Sequence, residues 1–252
     1  MIMNKVFSKP DALNDAVMHY CPGCSHGVAH RLVAEALDHF GITERTVGVA
    51  PVGCAVLMYD YFNCDVIEAP HGRAPAIATG MKRSRPDMII FTYQGDGDLA
   101  SIGLSEIVHC ANRGENVTII FVNNTVYGMT GGQMAPTTLL GQQTTTSPYG
   151  RNFNTDGYPI KMAEMLATLE GTSYVGRMAL DTPGNTLKAR KMIFKAFEMQ
   201  VKEQGFSFVE LLSTCSTAWG MSPVQSIKRL QDELIPYYPL GVLKEKETAD
   251  YI

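Results

Sequence analysis

The stretch MIIFTYQGDGDLASIGLSEIVHCANRGENVTIIFVNN, residues 88–124, decides the reading of this chain. Met88 to Gln94 and Val117 to Val122 are continuous apolar runs without alternation, the pattern of strands covered on both faces in a parallel sheet. Between them Leu99, Ile102, Leu104, Ile107, Val108 and Ala111 form the apolar stripe of a crossover helix, stopped by Asn112-Arg113-Gly114. The first strand delivers Asp96 on the glycine turn Gly95-Asp96-Gly97-Asp98, and the second delivers Asn123-Asn124. An Asp and an Asn at the C-terminal ends of adjacent parallel strands can share one hard cation, with glycines letting backbone N–H groups approach a phosphate. The stretch therefore reads as a magnesium diphosphate site, against the plainer reading of a structural turn and an Asn-rich strand end.

Working outward, the pattern stays α/β. Residues 1–20 read as a polar arm ending in His19-Tyr20, followed by Cys21-Pro22-Gly23-Cys24 at the start of a helix with Val28, Leu32, Val33, Ala36, Leu37 and Phe40 on its apolar side and Gly41 as its stop. Short strands are predicted over Thr46 to Val52, ended by Gly53-Cys54, and over Asp65 to Ala69. Pro70-His71-Gly72-Arg73 leads into a helix over Ala74 to Met81. Residues 127–153 show little periodicity, and their aromatic and methionine content predicts an ordered loop over a site. Helices are expected over Ile160 to Leu169 and Thr186 to Lys202, the latter capped by Asn185 or Thr186. Strands are expected over Ser173 to Ala179 and Phe206 to Leu212. From Ser222 the tail reads as one more helix and then a proline-interrupted extended segment, YYPLGV. No repeat or linker interrupts the pattern, so residues 1–252 are expected to form a single domain with an N-terminal arm and a C-terminal extension, a mainly parallel sheet flanked by helices.

Composition bounds the function. The 252 residues are 45% hydrophobic and 18% charged, with a net charge of -4 and a pI near 5.9. There is no basic stripe of the kind a nucleic-acid binder carries. No apolar run approaches the roughly 20 residues a membrane span needs, and MIMNKVFSKPDALND lacks the apolar segment of a secretory signal, so a cytoplasmic protein is expected. Six cysteines in such a chain point to metal or redox chemistry before a disulfide framework. Cys21 and Cys24 form a C-x-x-C pair, Cys54 ends one predicted strand and Cys215 the last. A parallel sheet can bring all of these to one edge, where four thiolates hold either a tetrahedral zinc or a cubane iron–sulfur cluster. Cys64 and Cys110 read as core cysteines.

The glycine turn, its flanking strand and helix, and the terminal Asn pair together resemble the thiamine diphosphate signature. That resemblance implies Mg²⁺ held by Asp96, Asn124 and the main-chain oxygen of Val126, with two diphosphate oxygens. More broadly, the chain resembles the β subunits of 2-oxoacid:ferredoxin oxidoreductases over nearly its whole length. Tyr20-Cys21-Pro22-Gly23-Cys24 with His26-Gly27, Gly53-Cys54, His71-Gly72-Arg73, Gly95 to Asp98, Asn123-Asn124, the run Tyr127 to Gln133, and Cys215 carry it. Ser25 departs from the family, where many relatives carry Gly, but keeps a small residue. The segments VAPVGCAVLMYDYFNCDVIEAPHGR and GGQMAPTTLLGQQTTTSPYGR look most like the branched-chain, 2-oxoisovalerate type, with the 2-oxoglutarate type as near relative.

The resemblance implies a thiamine diphosphate-binding fold and a [4Fe-4S] cluster on Cys21, Cys24, Cys54 and Cys215. A cluster beside thiamine diphosphate makes sense as electron transfer, which favours it over zinc. The implied reaction is coenzyme A-dependent oxidative decarboxylation of a 2-oxoacid, with electrons passing to ferredoxin. The glutamate that activates the thiamine ring would come from an α subunit, with small γ and ferredoxin-like δ subunits completing the complex. Gly53, Cys54, Gly95, Asp96, Gly97, Asp98, Asn124, Val126, Gly128 and Thr130 are the expected cofactor-binding positions. His71 is the candidate catalytic side chain, with a helix-capping His as the plain alternative. Arg73 is expected in a buried ion pair, and Asp98 as the cap of the crossover helix. Two other readings remain open, a zinc-stabilised scaffold subunit and a thiamine carboligase or decarboxylase without electron transfer.

Overall fold

The structure, a computed structural model, describes residues 8–246; the first seven residues of the expected arm and the last six of the tail lie outside the described residues. In chain order the elements are α1 (His26–Phe40), β1 (Thr46–Ala50), β2 (Asp65–Glu68), α2 (Ala74–Ser84), β3 (Ile89–Gly95), α3 (Leu104–Asn112), β4 (Thr118–Asn123), β5 (Val126–Tyr127), β6 (Gln133–Met134), α4 (Phe153–Asp156), α5 (Met162–Ala167), β7 (Thr172–Ala179), α6 (Pro183–Val201), β8 (Phe206–Leu212), α7 (Ser216–Trp219), α8 (Pro223–Arg229), α9 (Ile235–Tyr237) and β9 (Gly241–Glu245). The main sheet has seven strands in the order β2-β1-β3-β4-β8-β7-β9. All its pairs are parallel except β7 with β9. The predicted α/β class and mainly parallel sheet are therefore present, with one antiparallel edge strand where the sequence shows only an extended segment.

Alternation along the buried strands divides the core between the two faces of the sheet. Phe91, Tyr93, Ile120 and Val122 pack with the apolar sides of α1 and α6, whereas Ile90, Ile119 and Phe121 pack with α2, α3 and α5. Helix α1 ends as expected at Gly41, whose φ of 60° closes a left-handed cap. The strand order reverses direction at β1, since the chain steps to β2 on one side and then to β3 on the other. Loops leaving the C-terminal ends of β1 and β3 therefore splay apart there, the place where doubly wound sheets bind ligands.

Three local expectations need correction. The crossover is not one helix from Leu99: residues Asp98–Ile102 form a π-helical turn before α3, and Ile102 is 47% exposed rather than in the stripe. Gly103 breaks the register because its Cα faces the Gly72 carbonyl, which a Cβ would meet at 2.8 Å. Asp98 does not cap this helix, because its carboxylate turns back to the His71-Gly72 turn. Helix α6 begins earlier than expected, capped by Thr182, whose hydroxyl accepts from Asn185 N–H, with Pro183 in the first turn.

The long stretch 127–153 is ordered, as expected. Arg151 explains much of this: its guanidinium donates to the carbonyls of Pro136, Thr138, Gly157, Asp156 and Tyr158. Within the described part of the expected arm, Ala12 and Leu13 are buried and Leu13 is bridged to Phe62.

Candidate functional site

A cleft of about 590 Å³, its mouth included, opens at the strand-order reversal. It is lined by Gly53 and Cys54 after β1, by His71, by Gly95 to Asp98 after β3, by Asn124, Val126, Gly128 and Thr130 after β4, and by His26 at the start of α1. The cofactor-binding positions expected from sequence thus share one cavity.

Asp96 is its electrostatic centre. The side chain is 2% exposed and accepts from Gly97 N–H at 2.9 Å, Thr125 N–H at 2.7 Å and the Thr137 hydroxyl at 2.5 Å. Burial pushes its pKa up to about 7 despite those donors. Among the described residues, no Lys or Arg lines the cleft. A buried carboxylate surrounded by neutral donors, without a cationic side chain, is the environment a bound cation would complete.

The backbone after β4 makes a tight turn beside Asp96. Thr125 takes φ 63°, a left-handed conformation costly for a β-branched residue. Its backbone is held at both ends: its N–H reaches Asp96 and Asn123 Oδ1, and its carbonyl accepts from Thr138 Oγ1 and Gln142 Nε2. Asn123 is in turn fixed by Glu210, which pairs with Arg177, and both of those charged side chains are fully buried. Arg177 also pairs with Glu164. The glycines serve close approach: a Cβ at Gly97 would lie 2.3 Å from the Tyr127 ring.

His71 Nδ1 stands 2.5 Å from Asp98 Oδ1 without the direction of a hydrogen bond. Asp98 also accepts from Gly72 N–H and Gln94 Nε2, so its part is to hold the His71 turn against β3. Arg73 pairs with Glu106, but it is 48% exposed rather than buried. The Thr130 hydroxyl donates to Gln133 Oε1 at the cleft mouth.

The cysteines gather on the same rim. A Cβ built on Gly128 would stand 3.1 Å from Cys215 Sγ and 3.9 Å from Cys54 Sγ, so both sulfurs lie close to one point beside the loop after β4. The Cys21-Cys24 knuckle is clamped between them. Tyr20 donates to the Cys54 carbonyl at 3.2 Å. On the other side, Thr214 Oγ1 donates to the Gly23 carbonyl and lies 3.1 Å from Ser25 Oγ. The serine that departs from the family pattern thus makes a bond that Gly would not. Burial raises the thiol pKa of Cys54, that of Cys24 to about 11 and that of Cys215 to about 12. Metal binding here would displace protons. Among the described residues, no three His, Cys, Asp or Glu side chains stand close enough together to hold a single metal ion. Cys110 is a core cysteine, as expected, and Cys64 is half-buried against the core.

Sequence reasoning passed over Thr137, Thr214 and Trp219, and gave His26 no role. Thr137 reaches Asp96, and Trp219 Nε1 donates to the Asn124 carbonyl at 3.1 Å. His26 Nδ1 is 2.7 Å from Tyr93 Oη on β3. None of these lies in a spacing pattern; each is brought in by the fold.

Comparison with known proteins agrees with this geometry. Residues 51–211 match the thiamine pyrophosphate enzyme, C-terminal TPP binding domain. The chain is 45% identical, over 97% of its length, to the ketoisovalerate oxidoreductase subunit VorA of Methanothermobacter thermautotrophicus, and spans about half (53%) of that relative. It is 35% identical to the 2-oxoglutarate synthase subunit KorB of Archaeoglobus fulgidus, covering 92% of this chain and 86% of the relative. A solved 2-oxoglutarate:ferredoxin oxidoreductase from Magnetococcus marinus, with 2-oxoglutarate, coenzyme A and succinyl-CoA bound, superposes with a TM-score of 0.79 at 25% identity, over 97% of this chain and 87% of that one. Among the described residues, no helix is long and apolar enough to cross a membrane.

Proposed function

The chain belongs to the family of 2-oxoacid:ferredoxin oxidoreductase β subunits built on a thiamine pyrophosphate-binding domain, and from that premise we propose that it carries the cofactor half of an enzyme oxidatively decarboxylating a 2-oxoacid to its coenzyme A thioester. The observation that carries this reading is Asp96, a fully buried carboxylate with neutral donors only, facing the cleft beside Asn124 and Val126. In this reading Asp96, Asn124 and the Val126 carbonyl hold Mg²⁺ and the diphosphate, while Gly53, Gly95, Gly97, Asp98, Gly128 and Thr130 shape the cradle. Cys21, Cys24, Cys54 and Cys215 hold a [4Fe-4S] cluster, and we take the whole as a single domain working in the cytoplasm, where thiols stay reduced.

Bound thiamine diphosphate supplies the electron sink for loss of carbon dioxide, and the protein supplies orientation and electrostatics. This chain's residues have definable parts. The donors around Asp96 fix its oxygens, and the strained turn at Thr125 leads directly into Val126, whose carbonyl would complete the protein ligands of the metal. His71, held by Asp98, offers its other ring nitrogen to a substrate or phosphate oxygen. The cysteine rim lies beside the cleft, so electrons would leave over a short path to ferredoxin. The ring-activating glutamate, and with it activity, depends on an α subunit, with γ and ferredoxin-like δ subunits as further partners.

The apolar lining supports 2-oxoisovalerate over 2-oxoglutarate. Val52, Ala55 and Met129 line the cleft, and among the described residues no Lys or Arg stands there to pair a second carboxylate. The test is to add either 2-oxoacid with coenzyme A to the anaerobic complex and follow bleaching of visible absorbance. Bleaching with 2-oxoisovalerate is expected; no bleaching with either acid removes the substrate assignment. Iron with acid-labile sulfide in the purified protein is the accompanying expectation, and zinc without sulfide would favour the scaffold reading instead.

A further inference from the structure

We propose that Trp219 is a positioning residue that ties the metal-binding loop to the cysteine site, so that filling one site strengthens binding at the other. The inference rests on the two sites of the proposed function. Trp219 is the single tryptophan of the 252 residues. Its backbone N–H donates to the Cys215 carbonyl at 2.9 Å, and its indole Nε1–H donates to the Asn124 carbonyl at 3.1 Å. One residue thus bonds the peptide of a proposed cluster ligand with its main chain and the peptide of a proposed magnesium ligand with its side chain. The indole has little freedom to slip, because the Arg229 guanidinium lies over its face 4.5 Å from the ring centre.

The neighbouring contacts run the same way. Gly128 sits against Cys215 Sγ, and a Cβ on Gly132 would meet the Ala218 carbonyl at 3.3 Å. The loop that follows Asn124 therefore rides on the turn that follows Cys215. The Asn124 carbonyl begins the peptide whose far side is Thr125, the residue held at φ 63°. A conformation of that kind persists only while its surroundings over-determine it. A cluster held by Cys215 would fix residues 215–219 in place and, through the Trp219 indole, the Asn124 peptide that leads into the Thr125 turn and Val126. Coupling of this kind is reciprocal, and is commonly worth about 5-fold or more in affinity.

The experiment uses the full chain as purified with its partners, freed of diphosphate, with its iron either retained or removed by a chelator. Binding of Mg²⁺ with thiamine diphosphate is measured by calorimetry, with far-UV circular dichroism to follow the fold. In the native protein, iron removal is expected to weaken binding by about 5-fold or more. Trp219→Phe keeps a ring beneath Arg229 but loses the N–H donor; it is expected to bind more weakly and to show less than about a 2-fold effect of iron. Arg229→Gln, which leaves the indole N–H in place, is expected to retain the iron dependence. An iron effect absent from the native protein, or undiminished in Trp219→Phe, overturns the inference while leaving the two sites standing. Absence of diphosphate binding in the iron-retaining native protein overturns the site reading and this inference with it.

Discussion

A single side chain sets the electrostatics of the site. Asp96 is legible in the sequence, because its glycine turn follows one buried-strand run and stands a crossover helix before Asn123-Asn124 at the end of the next. Its supports are not legible: Thr137 lies 41 residues away and reaches it only because the loop after β6 folds back over the cleft. Tyr238, farther still, donates to the Thr137 carbonyl and fixes that loop from the tail. Supporting partners of metal ligands typically contribute 10–100-fold in affinity. Thr137→Val, which keeps the shape and removes the hydroxyl, is expected to weaken Mg²⁺-dependent thiamine diphosphate binding by about 10–100-fold in a calorimetric titration. Unchanged affinity would mean that Asp96 does not ligate the metal.

At the level of elements, boundaries follow capping chemistry more closely than apolar spacing. The strands β3, β4, β7 and β8 appear within a residue or so of their apolar runs, since a strand buried on both faces has a continuous signal. Helix α6 starts three residues before the expected Thr186, because Thr182-Pro183 combines a capping hydroxyl with a ring preset for the first turn. Thr182→Ala is expected to cost about 1 kcal/mol, within the usual range of about 0.5–2 kcal/mol for an N-cap, measured by denaturant unfolding. The π-helical turn at Asp98–Ile102 had no such signal. It arises where Asp98 is pulled toward the His71-Gly72 turn and Gly103 packs on the Gly72 backbone.

For the whole molecule, the packing of α1 against the sheet makes stability depend on pH. His30 on α1 is fully buried, with Nε2 at 2.7 Å from Tyr20 Oη and Nδ1 without a partner. Burial, with His26 nearby, holds its pKa well below the ordinary value of about 6.5. The unfolded chain takes up a proton there that the folded chain refuses. The neutral ring's contribution is therefore fully present above about pH 6.5 and is lost as pH falls below it. Stability is expected to drop by about 1.4 kcal/mol per pH unit below that point on account of this residue. His30→Gln should flatten the acid limb of the stability curve by that amount, and an unaltered slope would show that His30 does not set it.

The class of fold, the order of the main strands along the chain, and the candidacy of Asp96, Asn124 and the four cysteines as ligands were all readable from the residues alone. Those properties are local: apolar periodicity and glycine turns act between near neighbours. The strand order in space, the convergence of the 21–24, 54 and 215 loci on one rim, and the partners of Asp98 were decided only by tertiary structure. So were Thr137, Thr214 and Trp219, which act across separations of 41, 191 and 95 residues. Contacts at that range depend on where the reversal at β1 sends each loop, and no spacing along the chain encodes it.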